Sequence, residues 1–286
     1  MTPSPPPALK PNTSNPPAPT SPSIKNTRLR RFLVLAAVKY LKRIVPRHGN
    51  LIFLPNNICI KYGPLRHLPE AATLKYIAEN TSIPVPKVYC AFSRKGSAYI
   101  VMQKIRGQML GEGWNERSSE SQAAILEQLK GMVVELRALK HTESQRVSNV
   151  AGGPIWDCRL QGKTMWHGPF KTIHDFHKHL RGGFDADSKH YPDFSDMIAL
   201  QDIDWGPPVF THGDLSSLNI LVRGDKIVGI IDWETSGWYP GYWEYTTAKQ
   251  VSPMNYFWEK EIDKFLEPMP IALGMEKTRQ KYFNDI

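Results

Sequence analysis

The segment from Val209 to Trp233, VFTHGDLSSLNILVRGDKIVGIIDW, constrains the fold more than any other part of the chain. It contains two short β-like runs, at 220–222 and 227–231, separated by a Gly-Asp turn. Two such runs around a turn predict a β-hairpin. Because a hairpin returns the chain to the side where it began, polar residues at its two ends are expected to lie close together.

Three polar residues stand at fixed places around this hairpin. Asp214, in a His-Gly-Asp triplet, precedes Asn219 by five residues, and Asp232 follows the second run. Phosphoryl transfer needs a carboxylate that accepts a proton from the attacking hydroxyl and two oxygen ligands for Mg²⁺. The spacing matches the kinase catalytic loop HxDxxxxN with its later metal-binding Asp. We therefore interpret Asp214 as the catalytic base and Asn219 and Asp232 as Mg²⁺ ligands. The alternative is a turn whose Asp only caps backbone N–H groups.

A strand and a helix further upstream fit the same chemistry. Lys61 stands among apolar neighbours in Ile58–Tyr62, and Glu70 opens the next helical pattern. In kinases a strand Lys holds the nucleotide phosphates and a helix Glu fixes that Lys. We predict these roles for Lys61 and Glu70, although an exposed strand charge is the alternative for an isolated Lys.

The order of local patterns predicts an α+β chain with two lobes. Nine prolines in residues 1–23 predict a disordered tail. A small, β-rich lobe with a basic leading helix is expected over 24–104, and a larger, mostly helical lobe over 105–286. The expected elements are a helix over 27–45, strands at 50–54, 58–62, 88–92 and 98–104, a helix over 69–80, a glycine hinge from Gly107 to Gly113, and a helix capped by Ser119 with Gln122.

The charge of the chain is concentrated at its front end. The formal net charge is +9, yet residues 1–69 hold eleven basic side chains and no acidic one. The remainder is nearly balanced, and it shows no nucleic-acid-binding motif. A nucleic-acid partner is therefore not expected. A basic amphipathic helix at 27–45 packs on its own domain or lies on a membrane.

The sequence excludes an integral membrane protein and two kinds of cysteine-based site. The longest apolar run, Phe32 to Val38, is too short to span a bilayer, which needs about 20 residues, so no integral membrane segment is expected. Cys59, Cys90 and Cys158 form no CxxC pair, which excludes a zinc ribbon and a disulfide framework. We expect a cytoplasmic protein, with a mitochondrial presequence as the alternative reading of the basic tail.

The quoted motifs carry a resemblance to the aminoglycoside phosphotransferase family of the protein-kinase-like superfamily, and especially to a broad fungal group within it. The matching segments are ICIKYG (58–63), EAATLKYIAENTSIPVPKVY (70–89), YIVMQKIRG (99–107), HGDLSSLNILV (212–222) and IVGIIDWETSGWYPGYWEY (227–245). The resemblance implies ATP between the lobes, with adenine read by a hinge over 101–105 that includes Met102 and Gln103. It also implies a small-molecule acceptor and a supporting role for His212.

Departures from the kinase pattern leave alternatives. Only Gly49 stands where kinases have a glycine-rich phosphate loop, and no A-P-E segment follows Asp232. A small-molecule kinase is favoured over a protein Ser/Thr kinase, because no activation segment is present. A catalytically silent kinase-like binding domain is the other alternative. The sequence selects neither the acceptor nor the oligomeric state.

Two further groups of residues have competing interpretations. Aromatic residues over 238–245, with Glu234 and Glu244, could cage an organic cation, but core packing is favoured. His174, His177 and His179 are interpreted as a polar helix face rather than a metal site. A cationic aminoglycoside would need an acidic cleft, and the acids that could form one if they converge are Asp202, Asp204, Glu234 and Glu244.

Overall fold

The computed structural model describes residues 23–64, 67–141, 145–160, 162, 164–185, 192–251 and 253–283. Residues 1–22 of the predicted tail lie outside these ranges. Within the described residues, no helix is long and apolar enough to cross a membrane.

The front of the chain forms one antiparallel sheet with helices on both faces. The strands are β1 (Arg47–His48), β2 (Leu51–Leu54), β3 (Ile58–Pro64), β4 (Val88–Arg94) and β5 (Ser97–Gln103), in the order β1-β2-β3-β5-β4. The helices are α1 (Arg28–Ala36), a π-helix (Ala37–Leu41) and α2 (His67–Asn80).

Alternation along the strands explains why this sheet is covered on both sides. Successive side chains of a strand point to opposite faces. On β5, Ala98, Ile100 and Met102 join the core under α2, whereas Tyr99 and Val101 pack in the cluster under α1. The helix predicted over 27–45 is thus divided into α1 and a π-helical turn, and its end lies at Leu41.

The remainder of the chain is mainly helical. Its helices are α3 (Ser119–Ala138), α4 (Ile173–Leu180), α5 (Pro192–Gln201), α6 (Trp243–Ala248), α7 (Glu259–Ile262) and α8 (Pro270–Phe283), with 3₁₀ turns at Trp233–Thr235 and Pro253–Trp258. Its short strands are β6 (Gln108–Met109), β7 (Ile155–Trp156), β8 (Trp166–His167), β9 (Val209–Thr211), β10 (Ile220–Arg223), β11 (Lys226–Ile230) and β12 (Gly237–Tyr239).

The predicted hairpin is present as β10 and β11. Ile220 pairs with Ile230, so the loop before β10 and the residues after β11 lie at the same end. The predicted glycine hinge is partly a strand, because β6 pairs with β10 through Met109 and Leu221. The predicted lobe boundary at 104–105 falls between β5 and β6 and stays a prediction.

The start of α3 differs from the predicted capping box. Ser118, not Ser119, is the N-cap, and its hydroxyl accepts a hydrogen bond from the N–H of Ser121. The Gln122 side chain instead donates to the carbonyl of Trp114. The helix therefore begins as predicted at this point in the chain, but with a cap one residue earlier.

Candidate active site

The loop after β9 is held in place by a buried carboxylate. Both oxygens of Glu244, on α6, accept backbone hydrogen bonds, from His212 at 2.6 Å and from Gly213 at 3.0 Å. Gly213 has φ of 82°, and a Cβ there would lie 2.9 Å from the carbonyl oxygen of Thr235. Glycine is needed here because both the backbone angle and the space exclude a side chain.

His212 connects this loop to the end of β11. Its Nδ1 accepts from the backbone N–H of Asp214 at 3.2 Å, and its Nε2 donates to the carbonyl of Ile231 at 3.1 Å. The ring is fully buried. The residue that precedes Asp232 is therefore tied directly to the residues around Asp214.

Asp214 and Asn219 meet in the same loop. The Asn219 amide donates to both the carbonyl and the carboxylate of Asp214, at 2.9 Å each. The backbone N–H of Ile231 donates to the carbonyl of Asn219, also at 2.9 Å. These bonds bring all three residues predicted from the motif to one end of the β10–β11 hairpin.

An arginine that no motif predicted supports the loop from the other side. Arg159 donates to the carbonyl of Gly213 at 2.7 Å and forms a two-point pair with Asp157, with distances of 2.6 and 2.8 Å. Asp157 is fully buried. Although burial alone would lower it, the pKa of Arg159 is raised by Asp157, with a smaller contribution from Asp214. The guanidinium therefore stays charged beside the loop.

Lys61 joins the front sheet to the residues after β11. Its ammonium lies 2.8 Å from Glu70, 2.7 Å from Asp232 and 3.3 Å from Glu234. The predicted contact between Lys61 and Glu70 is therefore present, and Glu234 is an additional partner. Glu234 follows Asp232 by two residues, but its contact with Lys61 depends on the 3₁₀ turn and was not predicted.

Three of these carboxylates are close enough to form a cation site. Oxygens of Glu70, Asp232 and Glu234 lie within 4.8 Å of one another. The Lys61 ammonium contacts each of them, so this position already holds a positive charge. Its carboxylate partners raise the pKa of Lys61 despite burial. Partial burial raises the pKa of Asp232, and Lys61 opposes that effect.

A cavity of about 210 Å³ opens beside Asp214. Asp214 and Asn219 line it, whereas Asp232 is not among its lining residues. The other lining residues are neutral: Ser216, Leu218, Thr247, Ala248, Gln250, Val251, Asn255 and Trp258. Asn255 is fixed by the hydroxyls of Ser216 and Ser217. The cavity therefore has uncharged walls, part polar and part apolar, and a single carboxylate.

Met102 and Gln103 lie at the end of β5, between β3 and β4 in the sheet. The N–H of Gln103 donates to the carbonyl of Lys87 at 2.9 Å, and that of Lys104 donates to Asn57 at 2.8 Å. Neither N–H is open to a nucleotide in this arrangement. The predicted role of Met102 and Gln103 in reading adenine stays a prediction.

The aromatic residues over 238–245 pack in the core, as favoured from the sequence. Their side chains are nearly fully buried, at 5% exposure or less. Glu244, which could have completed a cation cage, binds the backbone of the loop instead. Glu244 therefore supports the loop and does not complete a cation cage.

The interpretation of three histidines as a polar helix face is wrong for His177. His177 is fully buried, with Nδ1 2.6 Å from the carbonyl of Gln201 and Nε2 2.8 Å from the hydroxyl of Tyr242. His179 contacts His167 at 2.9 Å, and His174 is exposed near Asp202. His174 and His179, which are both exposed, therefore fit the prediction, whereas His177 does not.

The chain matches a known family over most of its length. The model of the phosphotransferase enzyme family matches residues 64–267. No curated protein sequence matches the chain.

Solved structures of aminoglycoside phosphotransferases share the fold. The ADP-bound APH(2'')-Ib is 13% identical, with a TM-score of 0.55, and the match covers 86% of this chain and 85% of that one. The ternary complex of APH(2'')-IIa with streptomycin and ATP is also 13% identical, with a TM-score of 0.54 and coverage of 90% and 88%. A thermostable mutant of APH(4)-Ia with AMP-PNP and hygromycin B is 14% identical, with a TM-score of 0.52 and coverage of 90% for both chains. This likeness confirms the predicted α+β, two-lobed, protein-kinase-like fold.

Proposed function

The chain belongs to the phosphotransferase enzyme family, and on that premise we propose that it transfers the γ-phosphate of ATP to a hydroxyl of a small molecule. The main support is the position of Asp214. Its loop is fixed by Glu244 and Arg159, and Asp214 lines a cavity whose other lining residues are uncharged. A carboxylate held at the edge of a cavity can orient and deprotonate a hydroxyl that enters it.

In this proposal, the other site residues bind different parts of the Mg²⁺-nucleotide. Asn219 and Asp232 offer an amide oxygen and a carboxylate, which are the hard oxygen ligands that Mg²⁺ prefers. When bound, Mg²⁺ would neutralise charge that develops on the transferred phosphoryl group. Lys61, oriented by Glu70, would bind phosphate oxygens, and Met102 and Gln103 border the expected adenine site.

Asp214 has a defined proton-transfer role in this proposal. Its carboxylate accepts the proton of the acceptor hydroxyl as that oxygen attacks the γ-phosphorus atom. The bond from this phosphorus to the β–γ bridging oxygen breaks, and ADP leaves with that oxygen. The Asn219 amide, bonded to one Asp214 oxygen, keeps the carboxylate in one orientation. Arg159 keeps the loop in place through Gly213 and adds positive charge near the site.

The acceptor is a neutral hydroxyl compound rather than a polycation. Asp214 is the only carboxylate among the residues that line the cavity. The four acids that could have formed an acidic cleft have other partners. Asp202 binds Arg181, Asp204 accepts from the N–H of Gly206, Glu234 contacts Lys61, and Glu244 binds His212 and Gly213. A polycation would therefore find a single carboxylate in this cavity.

Removal of the proposed base tests the reaction. We expect Asp214→Asn to lower turnover by about 10²–10⁴-fold while leaving Mg²⁺-ATP binding in place. The measurement is a mass-spectrometric screen of polyols, nucleosides and aminoglycosides with Mg²⁺-ATP, followed by rates on any compound that gains a phosphate. Asp196→Asn, at an exposed position on α5, is the matched control.

Each alternative function gives a different result. Wild-type turnover in Asp214→Asn would show that Asp214 is not the base. The absence of a thermal shift at millimolar Mg²⁺-ATP would support a silent binding domain instead. Phosphate transfer to generic protein substrates would support a protein kinase, and phosphorylation confined to aminoglycosides would contradict a neutral acceptor.

A further inference from the structure

The segment 28–47 comprises α1, the π-helix and the residues that lead into β1. It has apolar side chains on two opposite sides. On the inner face, Val34 is buried and Leu35 and Val38 pack against a cluster that includes Phe92. On the outer face, five large apolar side chains stay open to solvent. Their exposed fractions are Leu29 68%, Phe32 68%, Leu33 55%, Tyr40 62% and Ile44 78%.

This outer stripe is a concentration of apolar surface. Leu29, Phe32 and Leu33 are three and four residues apart, and such positions share one side of a helix. In the described part of the chain, the other large apolar side chains that are more than half exposed lie far apart in sequence: Val134, Met165, Tyr256 and Ile271. Scattered exposed residues need no explanation, whereas a continuous apolar stripe indicates an interaction site.

Positive charge surrounds the stripe. The exposed basic side chains of this segment are Arg28, Arg30, Lys39, Arg43 and Arg47. The first acidic residue of the whole sequence is Glu70, so no carboxylate within the segment neutralises them. A partner for this face must therefore offer both negative charge and an apolar phase.

We propose that this face binds the surface of a membrane that is rich in anionic lipids. The helix would lie in the plane of the interface, with the outer stripe among the acyl chains and the basic side chains at the headgroups. A nucleic acid would satisfy the charge but would leave Leu29 and Phe32 in water. This inference is independent of the catalytic proposal, because it uses no residue of the candidate active site.

Vesicle co-sedimentation of the full chain tests this inference. The probes are phosphatidylcholine vesicles with and without about one third phosphatidylserine. We expect binding only to the anionic vesicles, and weaker binding near 1 M salt, where the Debye length falls to about 3 Å. The double variant Phe32→Glu/Leu33→Glu should reduce partitioning by at least about tenfold.

Two further variants show whether a loss of binding reflects a loss of folding. Ile271→Glu introduces one negative charge, as Ile44→Glu does, at a side chain that is 65% exposed on α8, and it should bind like the wild type. Ile44→Glu lies beyond the helical turns, so it removes apolar surface without placing a charge within a helix. It should weaken binding several-fold, and circular dichroism would verify the fold of each variant.

Several results would overturn the inference. One is a wild type that does not co-sediment with anionic vesicles. Another is unchanged binding by both Phe32→Glu/Leu33→Glu and Ile44→Glu, which would show that this face does not contact the membrane. A third is a wild-type dimer, seen by sedimentation velocity, that these variants dissociate, because a second copy would then cover the stripe.

Discussion

Single residues in this protein show how burial decides what a polar side chain does. His177 lies on the same helix as exposed His174, yet it is fully buried between Gln201 and Tyr242. A neutral ring satisfies both contacts when Nδ1 donates to the carbonyl and Nε2 accepts from the hydroxyl. Burial lowers the pKa of His177 to about 4. The folded protein therefore holds this ring neutral where an unfolded chain would protonate it.

The buried ring predicts a pH dependence of stability. Because the folded pKa is lower than the ordinary value of about 6.5, the unfolded state binds the proton first as pH falls. The contribution is complete above pH 6.5 and is lost as pH falls toward about 4, by up to about 3 kcal/mol. We expect His177→Gln, whose amide can donate and accept, to show a shallower loss.

Urea unfolding between pH 7.5 and 4.5 measures this difference. His174→Gln is the control, because His174 is 60% exposed, and its curve should parallel the wild type. If the wild-type and His177→Gln stabilities fell in parallel as pH decreased, protonation of His177 would not contribute to acid destabilisation.

At the scale of elements, the sequence predicts best where the signal is local. The β10–β11 hairpin follows from two apolar runs around a turn, and the Lys61–Glu70 pair from a strand followed by a helix. For His177, the sequence contains a pattern that predicts burial, and the interpretation as a polar helix face overlooked it. Ile173, Phe176, His177 and Leu180 are the buried residues of α4, and their spacing places His177 on the apolar side.

Other residues of the site could not be predicted from any sequence motif near Asp214. Arg159 reaches Gly213 across 54 positions, and Glu244 reaches the same residue across 31. No motif spacing relates either residue to Asp214, because β12, α6 and the segment around β7 meet only in the folded chain. The grouping of Asp214, Asn219 and Asp232 could therefore be predicted from the sequence, whereas the support of their loop could not.

The start of α3 gives a prediction at this scale. Ser118 accepts a hydrogen bond from Ser121, so Ser118→Ala leaves one of the first N–H groups of the helix without its cap. We expect a loss of about 1 kcal/mol in the free energy of unfolding. Ser119→Ala, one residue later, should change it by less than about 0.5 kcal/mol.

Denaturant unfolding of the two serine variants distinguishes the caps. Equal losses would show that both hydroxyls stabilise the helix start. A larger loss of unfolding free energy in Ser119→Ala would support the capping box of Ser119 with Gln122 that the sequence predicts.

At the scale of the whole molecule, Lys61 is one of the side chains that join the two parts of the fold. It extends from β3 to carboxylates 171 and 173 positions later, while Glu70 holds it from α2. The ammonium lies among three negative charges that would otherwise repel one another. It therefore contributes to the relative placement of the front sheet and the hairpin as well as to the proposed phosphate site.

Substitution of Lys61 tests that contribution. We expect Lys61→Met to lower the free energy of unfolding by about 2 kcal/mol, less than the 3–5 kcal/mol of a fully buried pair, since Asp232 is 42% exposed. Mg²⁺-ATP should no longer raise the unfolding temperature of this variant. Lys75→Met, which breaks the exposed pair with Glu79, should change stability by less than about 1 kcal/mol.

The two lysine variants are compared by thermal and urea unfolding. Equal stability of both would mean that the carboxylates around Lys61 find other compensation. A nucleotide-dependent shift that survives in Lys61→Met would remove Lys61 from the phosphate site.

The two hydrogen bonds that hold the backbone of Gly213 have a consequence for how the loop is shaped. The Gly213 N–H is bound to an anion and its C=O to a cation, and both partners come from the same chain. The loop that presents Asp214 is thus shaped before any ligand arrives. On the proposed function, this loop would need no phosphorylation to present Asp214 to an acceptor, because its shape is set by Glu244 and Arg159 of the same chain.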